Sequence, residues 1–213
     1  MKSTPVFLAL LLSASLLHAE VKLSKVFTPH MVLQRDLNAR IWGIAAPNEE
    51  VVVEFAGQKK SVKAGADGKW IVKLDPMPAS AKSRTLTVGG IKIDDVLVGD
   101  VWIGSGQSNM DMVVQSYTKD DPVLDAASKQ SYPLLRLLRK DANATWEAST
   151  PETNVRMSAL LFSFGFALQK EIGVPVGIMV GAVGGTPSGF WLSEEMYRDS
   201  AACAEAVKKF APT

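Results

Sequence analysis

Val101-Trp102-Ile103-Gly104-Ser105-Gly106-Gln107-Ser108-Asn109-Met110 carries the transition on which the fold turns. Three β-branched or aromatic residues suit an extended segment. Glycines on both sides of Ser105 then let the chain turn tightly. Ser108 follows, where a hydroxyl at the end of a strand is open to a substrate. The segment is not a Gly-x-Ser-x-Gly elbow, because Met110 takes the place of the last glycine. Spacing alone favours an ordinary Ser-Asn turn over a nucleophile, so at this level both readings stand.

Toward the carboxyl end the pattern alternates. Residues 134–138 read as a strand, and 157–172 place Leu160, Leu161, Phe164 and Leu168 at helical spacing. Gly173 stops that helix and Pro175 prevents its resumption. Residues 174–180 form an apolar run suited to a strand buried on both faces, and a glycine-rich turn follows at 181–185. Ser193, with Glu194 and Glu195 behind it, predicts the cap of a last helix. These are the elements of an open α/β sheet, whose sites lie beyond the carboxyl ends of its strands.

Toward the amino end the signals are short strands at 51–55, 70–74 and 84–88. Pro47-Asn48, Gly57 and a hairpin-like Asp67-Gly68 separate them. An all-β module over residues 20–97 is expected, in the form of a small β-sandwich. Before it, Lys2, an apolar run at 6–17 and Ala19 read as a signal peptide over residues 1–19. The run is shorter than the ~20 apolar residues of a spanning helix, so no membrane span is expected after its removal. The mature protein is expected to be secreted or periplasmic.

Composition narrows the chemistry. Of 213 residues 47% are hydrophobic and 21% charged, which is a globular balance. Lys plus Arg number 23 against 22 Asp plus Glu, so nothing points to a nucleic-acid partner. Cys203 is the single cysteine, and His18 and His30 are the only histidines, which leaves no basis for an intramolecular disulfide or a Cys/His metal site. No cofactor is expected.

The string from Gly99 to Met110 resembles the signature of the sialate O-acetylesterase family, a group of SGNH-type hydrolases. Further similarity lies in Met31-Val32-Leu33-Gln34-Arg35-Asp36 and Trp42-Gly43, in Ser158-Ala159, in Gly173-Val174-Pro175-Val176-Gly177 and in Gly184-Gly185-Thr186-Pro187. The resemblance implies an SGNH-hydrolase-like, flavodoxin-like α/β domain over residues 98–213, incomplete at its carboxyl end. It also implies hydrolysis of acetyl esters on an O-acetylated sugar, with sialic acid as the named substrate.

Carried over by position, Ser108 matches the nucleophile, and its own N–H would help hold the oxyanion. Gly184 and Gly185 match a turn approaching the same site, although a plain packing turn is an equal alternative for each. Gln107 and Asn109 are candidates for binding substrate or orienting the loop. Trp191 would line a sugar pocket or pack the core, and its residue type favours the core. Two positions depart from the family: Val183, where tryptophan is expected, and Gly104, where cysteine is common. Both are expected to touch pocket walls.

The family's base is a histidine held near an aspartate in a later segment. His30 stands in the β-module and does not match it. The chain is therefore expected to stop before its base and to be inactive alone. Two alternatives accompany this reading: a non-catalytic carbohydrate-binding protein, and an esterase of acetyl-xylan specificity.

Overall fold

The computed structural model describes residues 21–140, 144–200 and 205. The expected signal peptide and Cys203 lie outside them. The chain begins with β1 (Lys22–Leu23), β2 (Val32–Gln34) and β3 (Arg40–Ile44), and continues through β4 (Glu50–Phe55), β5 (Gln58–Lys63), β6 (Lys69–Lys73), β7 (Ser80–Val88) and β8 (Ile91–Gly104). Two tight hairpins form where residues tolerate positive φ. Ala56 (φ 51°) and Gly57 (φ 83°) join β4 to β5, and Gly89 (φ 53°) and Gly90 (φ 89°) join β7 to β8. Two successive left-handed residues match the twist of the flanking strands.

Asp67-Gly68 does not close a hairpin. β5 pairs with β4, whereas β6 pairs with β3 in a separate three-stranded antiparallel sheet of order β1-β3-β6. Gly68 (φ 75°) donates its N–H to Gly65 O at 2.9 Å and carries the chain from one sheet to the other. The inward faces of the two sheets share one core, in which Ile41 and Val72 meet Val53, Leu86 and Val96.

Beyond β8 come α1 (Ser108–Asp111), α2 (Pro122–Ser128), β9 (Tyr132–Leu138), β10 (Glu147–Ser149), α3 (Pro151–Asn154), α4 (Ala159–Ile172), β11 (Val176–Val180) and α5 (Glu194–Asp199). Together with the earlier strands they build one mixed sheet of order β10-β9-β11-β8-β7-β4-β5, with β2 also on β8. The strand expected at 101–103 is the end of a much longer one. β8 pairs antiparallel with β7 from Ile91 to Val98, and parallel with β11 from Asp100 to Gly104. Gly99 permits the junction, since a Cβ there would stand 1.9 Å from Pro175 O.

α4 starts two residues later than its spacing suggested, because Ser158 Oγ accepts the N–H of Leu161 and so serves as its cap. Gly173 ends it at φ 67°. Its buried face is Ala159, Leu161, Phe162 and Gly165, which pack on Leu135 and Ile178 of β9 and β11. Leu160 and Phe164, which share the helical spacing, are exposed. α5 has the expected cap, with Ser193 Oγ accepting the N–H of Met196. Among the described residues no helix is long and apolar enough to cross a membrane.

Candidate active site

β8 ends at Gly104 and the chain turns through Gly106, whose φ of 129° disfavours any side chain. Gln107 is extended and caps α1, so Ser108 is the first helical residue beyond the carboxyl end of the strand. The loop after β11 is tied to this turn. Gly181 N–H donates to Gly104 O, and Val183 N–H to Gly106 O, each at 2.9 Å. Lys140 adds a side-chain strut, donating to Asp111 Oδ2 of α1 (2.5 Å) and to Ala182 O (2.7 Å). The serine turn and the glycine turn are thereby held side by side.

Ser108 is exposed, and its Oγ donates to Gln107 Oε1 at 3.2 Å. Gln107, Gly185 and Trp191 line one open cleft of about 520 Å³, together with Gly106, Thr186 and Pro187. Gly185 has φ 79°, and a Cβ at Gly184 or Gly185 would meet no atom of the described residues within 4 Å. Open space at both leaves room for a substrate to approach the backbone. Trp191 is 39% exposed and rests edge-on against Phe190, so it belongs to the cleft wall and not to the core. Asn109 lines a different hollow, with Tyr117, Leu124 and Leu160.

Gly104 is buried, and a Cβ there would lie 2.6 Å from Leu161 Cδ1. Its departure from the family therefore bears on packing under α4, not on a pocket wall. Val183 is exposed beside the glycine turn. Sequence reasoning did not single out Lys140 and Asp111, which stand far apart in sequence and carry no motif. Thr186 and Pro187 were visible only as part of a resembling block.

His30 is not brought to Ser108. Its Nδ1 lies 2.7 Å from Asp95 Oδ2, and Arg136 Nη1 donates to the same oxygen at 2.7 Å. Asp95 is in the amino-terminal half of β8, whereas Ser108 follows that strand's carboxyl end. Burial pushes the Asp95 carboxyl up, but hydrogen bonds from His30 and Ser83 and the Arg136 guanidinium outweigh it and hold the group below its usual range. Among the described residues no group of three His, Cys, Asp or Glu could hold a metal ion.

No family model matches the chain. The human (Homo sapiens) sialate O-acetylesterase is 32% identical over 194 residues, covering 76% of this chain and 37% of that protein. The Pongo abelii and Rattus norvegicus sialate O-acetylesterases are 31% and 30% identical, covering 37% and 36% of those proteins. The crystal structure of a carbohydrate acetylesterase from Xanthomonas citri superposes with a TM-score of 0.74 at 29% identity, over 85% of this chain and 44% of that one. Over part of its length the chain is homologous to the sialate O-acetylesterases and carbohydrate acetylesterases. It spans little more than a third of the length of the curated relatives it matches. Its α/β fold, with a mixed sheet at the core, resembles carbohydrate-esterase architecture.

Proposed function

We propose that this chain carries the serine-bearing part of a carbohydrate O-acetylesterase acting on O-acetylated sialic acid, with Ser108 as nucleophile. One observation supports this above the rest: the exposed Ser108 turn is hydrogen-bonded to the loop carrying Gly184 and Gly185, beside a cleft walled by Trp191. Residues 20–97 are read as a β-sandwich module and residues 98–213 as part of an SGNH-like domain. Export removes residues 1–19, which mass spectrometry of the mature N-terminus tests.

In this reading Ser108 Oγ attacks the acetyl carbonyl carbon while its proton passes to a base. The tetrahedral oxyanion is held by the Ser108 N–H and by an N–H of the Gly184-Gly185 turn. Loss of one such donor costs about 2.7 to 4 kcal/mol of transition-state stabilisation. The sugar hydroxyl departs with a proton, and water then hydrolyses the acetyl-serine. Trp191 supplies a flat apolar wall for the sugar. Gln107 Oε1 holds the resting hydroxyl and releases it to the base. The base is a histidine from outside the described residues, paired with an aspartate, as the family resemblance implies.

The test compares the 213-residue chain with a longer form bearing a histidine segment, on 4-nitrophenyl acetate, O-acetylated sialic acid and acetylated xylan. The longer form should hydrolyse the sialate ester in a Ser108-dependent way, and the short chain should turn over barely at all. Equal, Ser108-dependent rates for both would overturn the assignment of the base. Preference for acetylated xylan would overturn the substrate.

A further inference from the structure

The three-stranded sheet carries a second hollow, of about 870 Å³, that shares no lining residue with the cleft walled by Trp191. Strand alternation turns Ile41 and Val72 into the core and Trp42, Ile44 and Ile71 outward. A solvated sheet face is normally polar. Here Trp42, Ile44 and Ile71 are 41%, 57% and 46% exposed, and Trp42 stands directly across from Ile71 in the register. The Trp42 ring is fixed by Phe27, edge-on at 4.6 Å between centroids. Trp70, in the wall of the same hollow, keeps a buried Nε1 donor with no hydrogen-bond partner among the described residues.

Charge around this apolar floor is one-sided. Lys22, Lys25, Lys63 and Lys69 line the hollow and no acidic residue does, although the whole chain is almost balanced at 23 cations to 22 anions. Lys69 is paired with Asp67 at 3.1 Å. Lys22, Lys25 and Lys63 make no ion pair within 4 Å among the described residues, and Lys63 stands across from Glu50 in the β4–β5 register. A volume of this size suits a small ligand, and a rigid aromatic surface flanked by lysines suits one that has both a flat apolar face and a negative charge.

We propose that this hollow is a binding site for a carboxylate-bearing sugar. The C–H face of the pyranose ring lies on Trp42 and Ile71, and its carboxylate faces Lys22, Lys25 and Lys63. A docked helix would need a longer apolar stripe than these few side chains provide. Exposed ion pairs contribute little each, so binding is weak and falls with salt. The binding itself is independent of Ser108. Only its consequence, retention of an esterase on glycans rich in acidic sugars, rests on the acetylesterase reading.

The experiment titrates the purified chain with sialyllactose and with lactose, by calorimetry and tryptophan fluorescence at low and high salt. Sialyllactose should bind, lactose should bind at least ~10-fold more weakly, and high salt should weaken the former. Trp42→Ala and, separately, Lys22→Glu should each weaken sialyllactose by ~10-fold or more, while Lys170→Glu, an exposed lysine outside both hollows, leaves it unchanged. Lys22 is exposed, so its variant tests the site even where Trp42→Ala fails to fold. Equal binding of lactose, or indifference to both hollow variants, would overturn the proposal. So would self-association in light scattering that Trp42→Ala abolishes, since the occupant would then be a second copy.

Discussion

The two halves of β8 sit in different surroundings. Its amino-terminal half has β7 alongside, and its side chains Ile93 and Val96 are in a core closed by two tight hairpins. Its carboxyl-terminal half, from Asp100 to Gly104, pairs with β11 alone among the described residues. There Trp102 is 46% and Ile103 66% exposed, with Phe164 edge-on against Trp102. Cohesion is concentrated where the paired strands are sequence neighbours. The candidate chemistry lies at the less covered end, where an open strand edge and apolar side chains face solvent.

The largest expected effect sharpens that division. In a form that hydrolyses acetyl esters, Ser108→Ala should lower kcat by about 10⁴-fold or more, and Ser105→Ala should stay within about twofold. Neither should shift the urea midpoint, because both residues lie outside the two core clusters. A common loss of stability and rate would break the separation between packing and chemistry.

Within α4 the contrast is between neighbouring faces. Phe162→Ala should cost about 3 to 5 kcal/mol in urea denaturation, since its ring is fully buried against the sheet. Leu160→Ala should stay within about 0.5 kcal/mol. In the β4–β5 hairpin, Gly57→Ala should cost about 1 to 2 kcal/mol through its φ of 83° alone, because a Cβ there meets no neighbouring atom.

The smallest effect is a pH dependence. The folded state lowers the Asp95 pKa below 3.8, so its contribution is fully present above that value and is lost as pH falls through the folded pKa. Urea midpoints measured from about pH 5 to about pH 3 should fall less steeply in Asp95→Asn than in the parent chain. An unchanged slope would show that the His30, Ser83 and Arg136 contacts leave Asp95 no more acidic than in the unfolded chain.

The sequence made the α/β part legible where local chemistry is decisive: the Gly173 stop, the apolar β11 and the Ser193 cap all depend on a few adjacent residues. The length of β8 is not legible in the sequence, because Asp94-Asp95 interrupts its apolar residues. In the structure Thr85 Oγ1 donates to Asp94, while His30 and Arg136 hold Asp95 at φ 55°, so the strand continues past both carboxylates. Helical spacing did not by itself identify the buried face of α4, because Leu160 and Phe164 keep that period on the exposed side. At the candidate site, Ser108, Gln107 and Gly185 were singled out by resemblance, and the structure places all three around the two linked turns. Lys140 was not, because only tertiary folding brings it between Asp111 and Ala182.

The long β8 also sets a timetable for the chain as it is made. Its first half has a hairpin partner, β7, that has already left the ribosome, and the Gly89-Gly90 turn lets the two close at once. Its second half must wait for β11, roughly 70 residues later, which at ordinary synthesis rates is about 4 to 14 s. For that interval one strand is half folded and half available to any passing partner. A pause in translation after residue 104 would prolong the exposure, and the misassembly it favours would begin at Trp102 and Ile103.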